Sequence, residues 1–69
     1  MTNTKLLEKK IEESGLKKNF IAQALGLSPY GLAKKINNEN EFKTSEVDGL
    51  CKILNISDLA EKDRIFFAN

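Results

Sequence analysis

Between Ala24 and Pro29 the chain reads ALGLSP, and that short run dictates much of what can surround it. Gly26 stops a helix, because a residue without Cβ enters the left-handed region most easily. Ser28 can cap a second helix, and Pro29 suits its first position, where a missing N–H costs nothing. Leu27 is left to plug the turn. Two helices joined so tightly must cross close to the turn, and the small Ala22 sits where they would touch. The spacing predicts a helix from about Lys18 to Leu25, with Ile21 and Leu25 facing inward. A second helix follows from Pro29, with Leu32 and Ile36 as its buried stripe.

The remainder supplies a core for that pair. Leu7 and Ile11, four apart and widened by Leu6, predict a helix from about Thr4 to Ser14, ended by Gly15. After the loop NNENEF, which Phe42 anchors, Thr44 or Ser45 is positioned to cap a fourth helix. Its apolar face is Val47, Leu50, Cys51 and Leu54. Ser57 is positioned to cap a last helical turn containing Leu59. The end, RIFFAN, is too short for periodicity to separate strand from helix. The expectation is one all-α domain over residues 1–69, compact, with four to five helices. The tight helix pair spans 17–38 and an apolar tail spans 64–69. Sixty-nine residues leave little room for an enzyme cleft with a second lobe.

Charge is distributed unevenly, although its net value is only +1. Residues 17–38 hold Lys17, Lys18, Lys34 and Lys35 with no acid. Residues 39–69 hold seven acids against Lys43, Lys52, Lys62 and Arg64. Such a molecule can turn one face to a polyanion and keep the other away. With no histidine, there is no His-based general base or triad. No Cys/His cluster suits zinc and no Gly-rich loop suits a phosphate, so neither enzyme activity, cofactor, metal nor small-molecule substrate is expected. The apolar runs are too short to span a bilayer, and MTNTKLLEKK lacks the features of a secretory signal. Cys51, the one cysteine, reads as packing in a reduced, cytoplasmic protein.

The set Ile21-Ala22, Leu25-Gly26-Leu27-Ser28, Leu32, the Asn37-Asn38 exit and the apolar helix after it resembles the Cro/repressor-type (XRE-like) helix-turn-helix family of phages and bacteria. The resemblance covers about residues 4–59. It implies a lambda-repressor-like domain with the helix-turn-helix at helices 2 and 3, and a small phage-type regulator binding operator DNA. Two positions depart from the family pattern. Lys18 stands where a phosphate-bonding Gln is usual. The last apolar residue of helix 3 is Ile36, four after Leu32, where the family usually places it three after, at Lys35.

Counting about 100° per residue from Pro29 puts Tyr30, Ala33, Lys34 and Asn37 on the side of helix 3 away from Leu32 and Ile36. With Ser28 they are the candidate base readers. Lys34 suits a guanine edge, Asn37 an adenine edge and Ala33 a thymine methyl. Lys17, Lys18, Asn38 and Lys43 are candidate phosphate contacts, and Lys35 lies off the reading face. Phe20, Ile65, Phe66 and Phe67 are candidate protein-interface residues, with packing onto the domain as the competing role for each.

Three functions suit these features. The first is a transcriptional regulator that binds double-stranded operator DNA as a homodimer, on half-sites about 10 bp apart or a multiple of that. The second is an antirepressor or modulator that binds and masks a partner repressor protein, its acidic half docking on that partner's basic face. The third is the antitoxin of a toxin–antitoxin pair, with the apolar tail as its toxin anchor.

Overall fold

The computed structural model describes residues 1–68, and among them the backbone forms five helices and no strand. In chain order these are α1 (Thr4–Ser14), α2 (Lys18–Ala24), α3 (Pro29–Ile36), α4 (Thr44–Ile53) and α5 (Leu59–Phe66). α2 packs on α3 and α4, while α1 lies against α3 and α5. No helix among the described residues is long and apolar enough to cross a membrane.

Each helix starts where a side chain or the backbone can hold its first turn. Asn3 caps α1, its side-chain Oδ1 accepting from the Leu6 N–H at 3.1 Å. Ser28 caps α3 by accepting from the Gly31 N–H at 2.9 Å, with Pro29 in the first turn as expected. Two starts differ from expectation. Lys43, not Thr44 or Ser45, is the N-cap residue of α4, and the Glu46 carboxylate reaches back to its N–H at 2.8 Å. That is the returning half of a capping box, which needs only a glutamate three residues in. Asp58, not Ser57, caps α5, accepting from the Ala60 N–H at 3.0 Å.

Three helices end alike. After α2, α3 and α4 the chain passes through one left-handed residue: Gly26 at φ 73°, Asn38 at 65° and Asn55 at 58°. The N–H of that residue and of the next one then bond back onto the last turn. After α2, Gly26 reaches the Gln23 carbonyl at 3.1 Å and Leu27 reaches that of Ala22 at 2.8 Å. After α3, Asn38 reaches Lys35 at 3.2 Å and Glu39 reaches Lys34 at 2.8 Å. This closure satisfies carbonyls that would otherwise lack partners. Asparagine tolerates the geometry through its short amide side chain, which is why Asn38 and Asn55 serve where Gly26 serves after α2.

The core draws on every helix. Leu7, Ile21, Leu32, Ile36, Leu50 and Ile65 are all below 2% exposed. Burying each stabilises the fold by about 1.5–3 kcal/mol before entropy is counted. Ala22 is fully buried between α2 and its neighbours. Gly49 lets α4 approach α2 closely: a Cβ there would lie 2.8 Å from Leu25 Cδ2. The tail segment RIFFAN is helical up to Phe66, and Ile65 and Phe66 turn inward. Phe66 meets the half-buried Phe42 edge-on, with ring centroids 5.8 Å apart. Asn69, the end of the expected tail, lies outside the described residues.

Candidate functional site

α3 is held by its buried stripe so that its opposite side faces outward. Tyr30 is 73% exposed, Ala33 and Asn37 are exposed, and Lys34 is half-buried. The Lys34 Nζ lies 5.2 Å from the centre of the Tyr30 ring, a cation–π approach one helical turn along the surface. Lys34 makes no ion pair among the described residues, so its charge is not neutralised locally by an acid. Ser28 remains exposed while its hydroxyl accepts from Gly31. The five candidate base-reading residues therefore lie on one helix and its cap.

The four candidate phosphate contacts separate. Lys17, the N-cap residue of α2, is exposed and has no acidic partner among the described residues, and the same holds for Lys43 before α4. Lys18 is paired with Glu8, Nζ to Oε1 at 2.8 Å. Both side chains are well exposed, and such surface pairs contribute little, so Lys18 can leave Glu8 at small cost. Asn38 is exposed but differs from the three lysines. Its side chain is already used: Oδ1 accepts from the Thr2 N–H at 2.9 Å, and Nδ2 donates to the Thr2 carbonyl at 2.8 Å. It joins two parts of the backbone instead of offering a free amide to a ligand.

Lys35, which falls off the outward face, is neither solvated nor free. Its Nζ lies 2.5 Å from Glu46 Oε1, and the two side chains are only 12% and 9% exposed. Burial raises the Glu46 pKa, but the hydrogen bonds from Lys35 and the Lys43 N–H, with both positive charges, outweigh it. The carboxyl ends below its ordinary value. Residue spacing along a helix carries no sign of a pair that joins α3 to α4. The one local clue is the placement of Glu46 three residues after Lys43, which marks a helix start and says nothing of Lys35.

The four candidate protein contacts also divide. Phe20 is 54% exposed on α2 and Phe67 is 58% exposed after α5. Ile65 and Phe66 are 1% and 4% exposed. Their packing role takes precedence over the surface role, since neither can meet a partner without leaving the core. The apolar tail thus offers Phe67 rather than three consecutive contacts.

Elsewhere the surface holds shallow clefts. One of about 270 Å³ lies between α1 and α5, among Lys9, Lys10, Glu13, Glu61 and Arg64, with Lys10 and Glu61 paired at 3.1 Å. Cys51 is buried in α4, and burial is the main cause that pushes its thiol pKa up. It is therefore a poor nucleophile. No group of three or more His, Cys, Asp or Glu residues among those described is placed to hold a metal ion.

Neither the curated proteins nor the solved structures contain a match to this chain. One family model does match, over residues 2–69, and by that match the chain belongs to the family described as Protein of unknown function (DUF739).

Proposed function

We propose that the chain is a DNA-binding regulator in which α2 and α3 form a helix-turn-helix and α3 enters a major groove. The observation that carries this reading is the outward side of α3. Tyr30, Ala33, Lys34 and Asn37 stand there away from the core, and Lys34 has no acidic partner among the described residues. Lys17 and Lys43 add exposed positive charge of the kind that contacts phosphates. The resemblance to the Cro/repressor family supports the same reading. In it, Lys34 and Asn37 donate to base edges, Tyr30 supplies apolar area and a hydroxyl, and Ser28 fixes the start of the helix. A homodimer on two half-sites about 10 bp apart would double the small set of contacts each copy makes.

The test is binding to duplexes selected from a random-sequence pool, compared with random duplex, across a salt series. A reader using several phosphate contacts loses affinity with a log–log salt slope of about −0.9 per contact. Lys17→Ala should weaken both duplexes alike and flatten the slope by about one contact. Lys34→Ala with Asn37→Ala should remove the preference for selected DNA. If the double variant keeps that preference, α3 is not the reading element.

Exposed aromatics favour a second reading, in which the chain masks a partner repressor protein. Phe20, Tyr30 and Phe67 are each more than half exposed. Aromatic side chains commonly anchor protein interfaces. Lys18 and Lys35 are turned to Glu8 and Glu46, which thins the positive field available to DNA. Absence of any site preference in the wild-type chain, with Phe20→Ala abolishing capture of a purified repressor, would favour this reading over the first.

A further inference from the structure

The two ends of α3 are held by different means. Its N-terminal end follows directly from the short turn after α2. Its C-terminal end is tied by side chains to segments far away in sequence. The Thr4 hydroxyl donates to the Ile36 carbonyl at 2.7 Å, supplying a partner to a helix-end carbonyl. Asn38 bonds both the N–H and the carbonyl of Thr2, at 2.9 and 2.8 Å. Lys35 meets Glu46 at the start of α4, and that same carboxylate oxygen accepts from the Lys43 N–H. The Thr2 segment is itself fixed to α5, because the Asn3 N–H donates to the Ile65 carbonyl at 2.6 Å. Thr2 and Glu46 are the two buried polar residues of the fold among those described, and both serve this one helix end.

Apolar packing alone does not set the angle of a helix this short. Leu32 and Ile36 are the residues it buries, and two aliphatic side chains on one stripe permit rocking about that stripe. Hydrogen bonds are directional and specify one orientation. We infer that Asn38 and Glu46 are positioning residues: with Thr2 and Thr4 they clamp the C-terminal end of α3, fixing the angle at which Lys34 and Asn37 are presented. The consequence for ligand recognition rests on the DNA-binding reading above, whereas the mechanical clamp does not.

Asn38→Gly separates the roles of that residue. Glycine keeps the left-handed backbone at φ 65° and removes the side-chain bonds to Thr2 together with the long one to the Thr4 hydroxyl at 3.5 Å. Glu46→Gln removes the charge that holds Lys35 and retains an oxygen for the Lys43 N–H. Cys51→Ala, in the core at the C-terminal end of α4 and outside the clamp, is the control for general loss of stability. Two readouts are needed on fully folded protein: amide hydrogen exchange at Lys35, Ile36 and Asn37 without DNA, and the affinity ratio between pool-selected and random duplex.

The clamp predicts faster exchange at those amides in Asn38→Gly and Glu46→Gln than in Cys51→Ala, with α1 amides such as Leu7 unaffected. It also predicts a loss of about tenfold in the affinity ratio, the size of one misaligned base contact, with the salt slope unchanged in Asn38→Gly, which alters no charge. Exchange no faster than in the control overturns the clamp. Faster exchange with an unchanged ratio overturns the positioning role. Faster exchange in a protein whose wild type shows no preference for selected DNA upholds the clamp and overturns the DNA-binding reading instead.

Discussion

α3 and α5 are built to the same specification and differ in what they leave outside. Each is eight residues long, starts at a side-chain cap, and buries two residues. Two of the four charges of α5 are turned to its neighbours: Glu61 pairs with Lys10 of α1 at 3.1 Å, and Lys62 with Asp48 of α4 at 3.3 Å, while Asp63 and Arg64 stay exposed. α3 sends Lys35 to Glu46 and leaves Lys34 over Tyr30 with no acid among the described residues. The aromatic side chain of α5, Phe66, faces inward, and that of α3, Tyr30, faces out. Equal length and equal capping therefore say little about role. What distinguishes the two is the outward aromatic: α3 carries Tyr30 on its exposed side beside Lys34, unpaired among the described residues, and the aromatic of α5 is buried.

The comparison breaks first on stability. Ile65→Ala should cost about 2–5 kcal/mol, the usual range for truncating a fully buried aliphatic side chain. A domain of this length has about 3–10 kcal/mol in total, so the urea midpoint should fall steeply. Tyr30→Ala, on the outward side of α3, should stay within about 0.5 kcal/mol of the wild type. Equal costs for the two would mean that Tyr30 is structural and that α3 presents nothing.

A second contrast concerns how α3 is launched. At Gly26 a Cβ would meet nothing within 4 Å, so Gly26→Ala tests the backbone conformation alone. With φ at 73°, alanine should cost about 1–2 kcal/mol, read as a lower urea midpoint with an unchanged slope. A negligible cost would mean that the turn between α2 and α3 relaxes, and that its sharpness does not fix where α3 points.

The tight turn was readable because each of its signals is local. Gly26, Ser28 and Pro29 act within one or two residues of themselves, and α1 ends at Gly15 for the same reason. The inward residues Leu7, Ile11, Ile21, Leu32, Ile36, Val47 and Leu50 follow from helical spacing, and the structure buries all of them. Sequence periodicity lost its grip where a residue's partner lies across the fold. Nothing near Asn38 signals a bond to Thr2, thirty-six positions away. Lys35 sits at an angle that suits solvent, and only the path of α4 brings Glu46 against it. The segment RIFFAN offered helix and strand equally, since three apolar residues in a row fit either. Packing of Ile65 and Phe66 against the core decides in favour of the helix. The outward side of α3 was legible as geometry. Its ligand is a question of chemistry that spacing does not reach.

Capping gives a finer comparison of the two helices. Ser28→Ala and Asp58→Ala each remove one side-chain acceptor from a first turn, at Gly31 and Ala60 respectively. Each should cost about 1 kcal/mol. Their local effects should differ, because α3 also ends in the ties at Asn38 and Ile36, whereas Phe67 closes α5 with a single backbone bond to Asp63. Amide exchange should accelerate mainly in the first turn of α3 in Ser28→Ala, and along most of α5 in Asp58→Ala. Uniform acceleration along α3 would mean that its C-terminal end is no better held than that of α5.

The last contrast is a slope rather than an offset. Lys10–Glu61, which supports α5, is partly exposed, and a pair of that kind contributes little. Lys35–Glu46, which supports α3, is nearly buried, and the Glu46 carboxyl lies below its ordinary value in the folded chain. A carboxyl with a depressed folded pKa stabilises the fold above the pKa it has when unfolded. That stabilisation is lost as pH falls from the ordinary glutamate range through the lower, folded value. Thermal midpoints taken from about pH 7 downward should therefore fall more steeply in the wild type than in Glu46→Gln, which has no proton to take up at that position. Glu61→Gln, which breaks only a partly exposed pair, should leave the stability at neutral pH within about 1 kcal/mol of the wild type. The wild type and Glu46→Gln should converge at the acid end, because protonated Glu46 and glutamine both leave Lys35 facing a neutral partner. If the two curves instead run parallel, Glu46 titrates as an ordinary surface acid, and the polar tie between α3 and α4 carries no more than the exposed pair beneath α5.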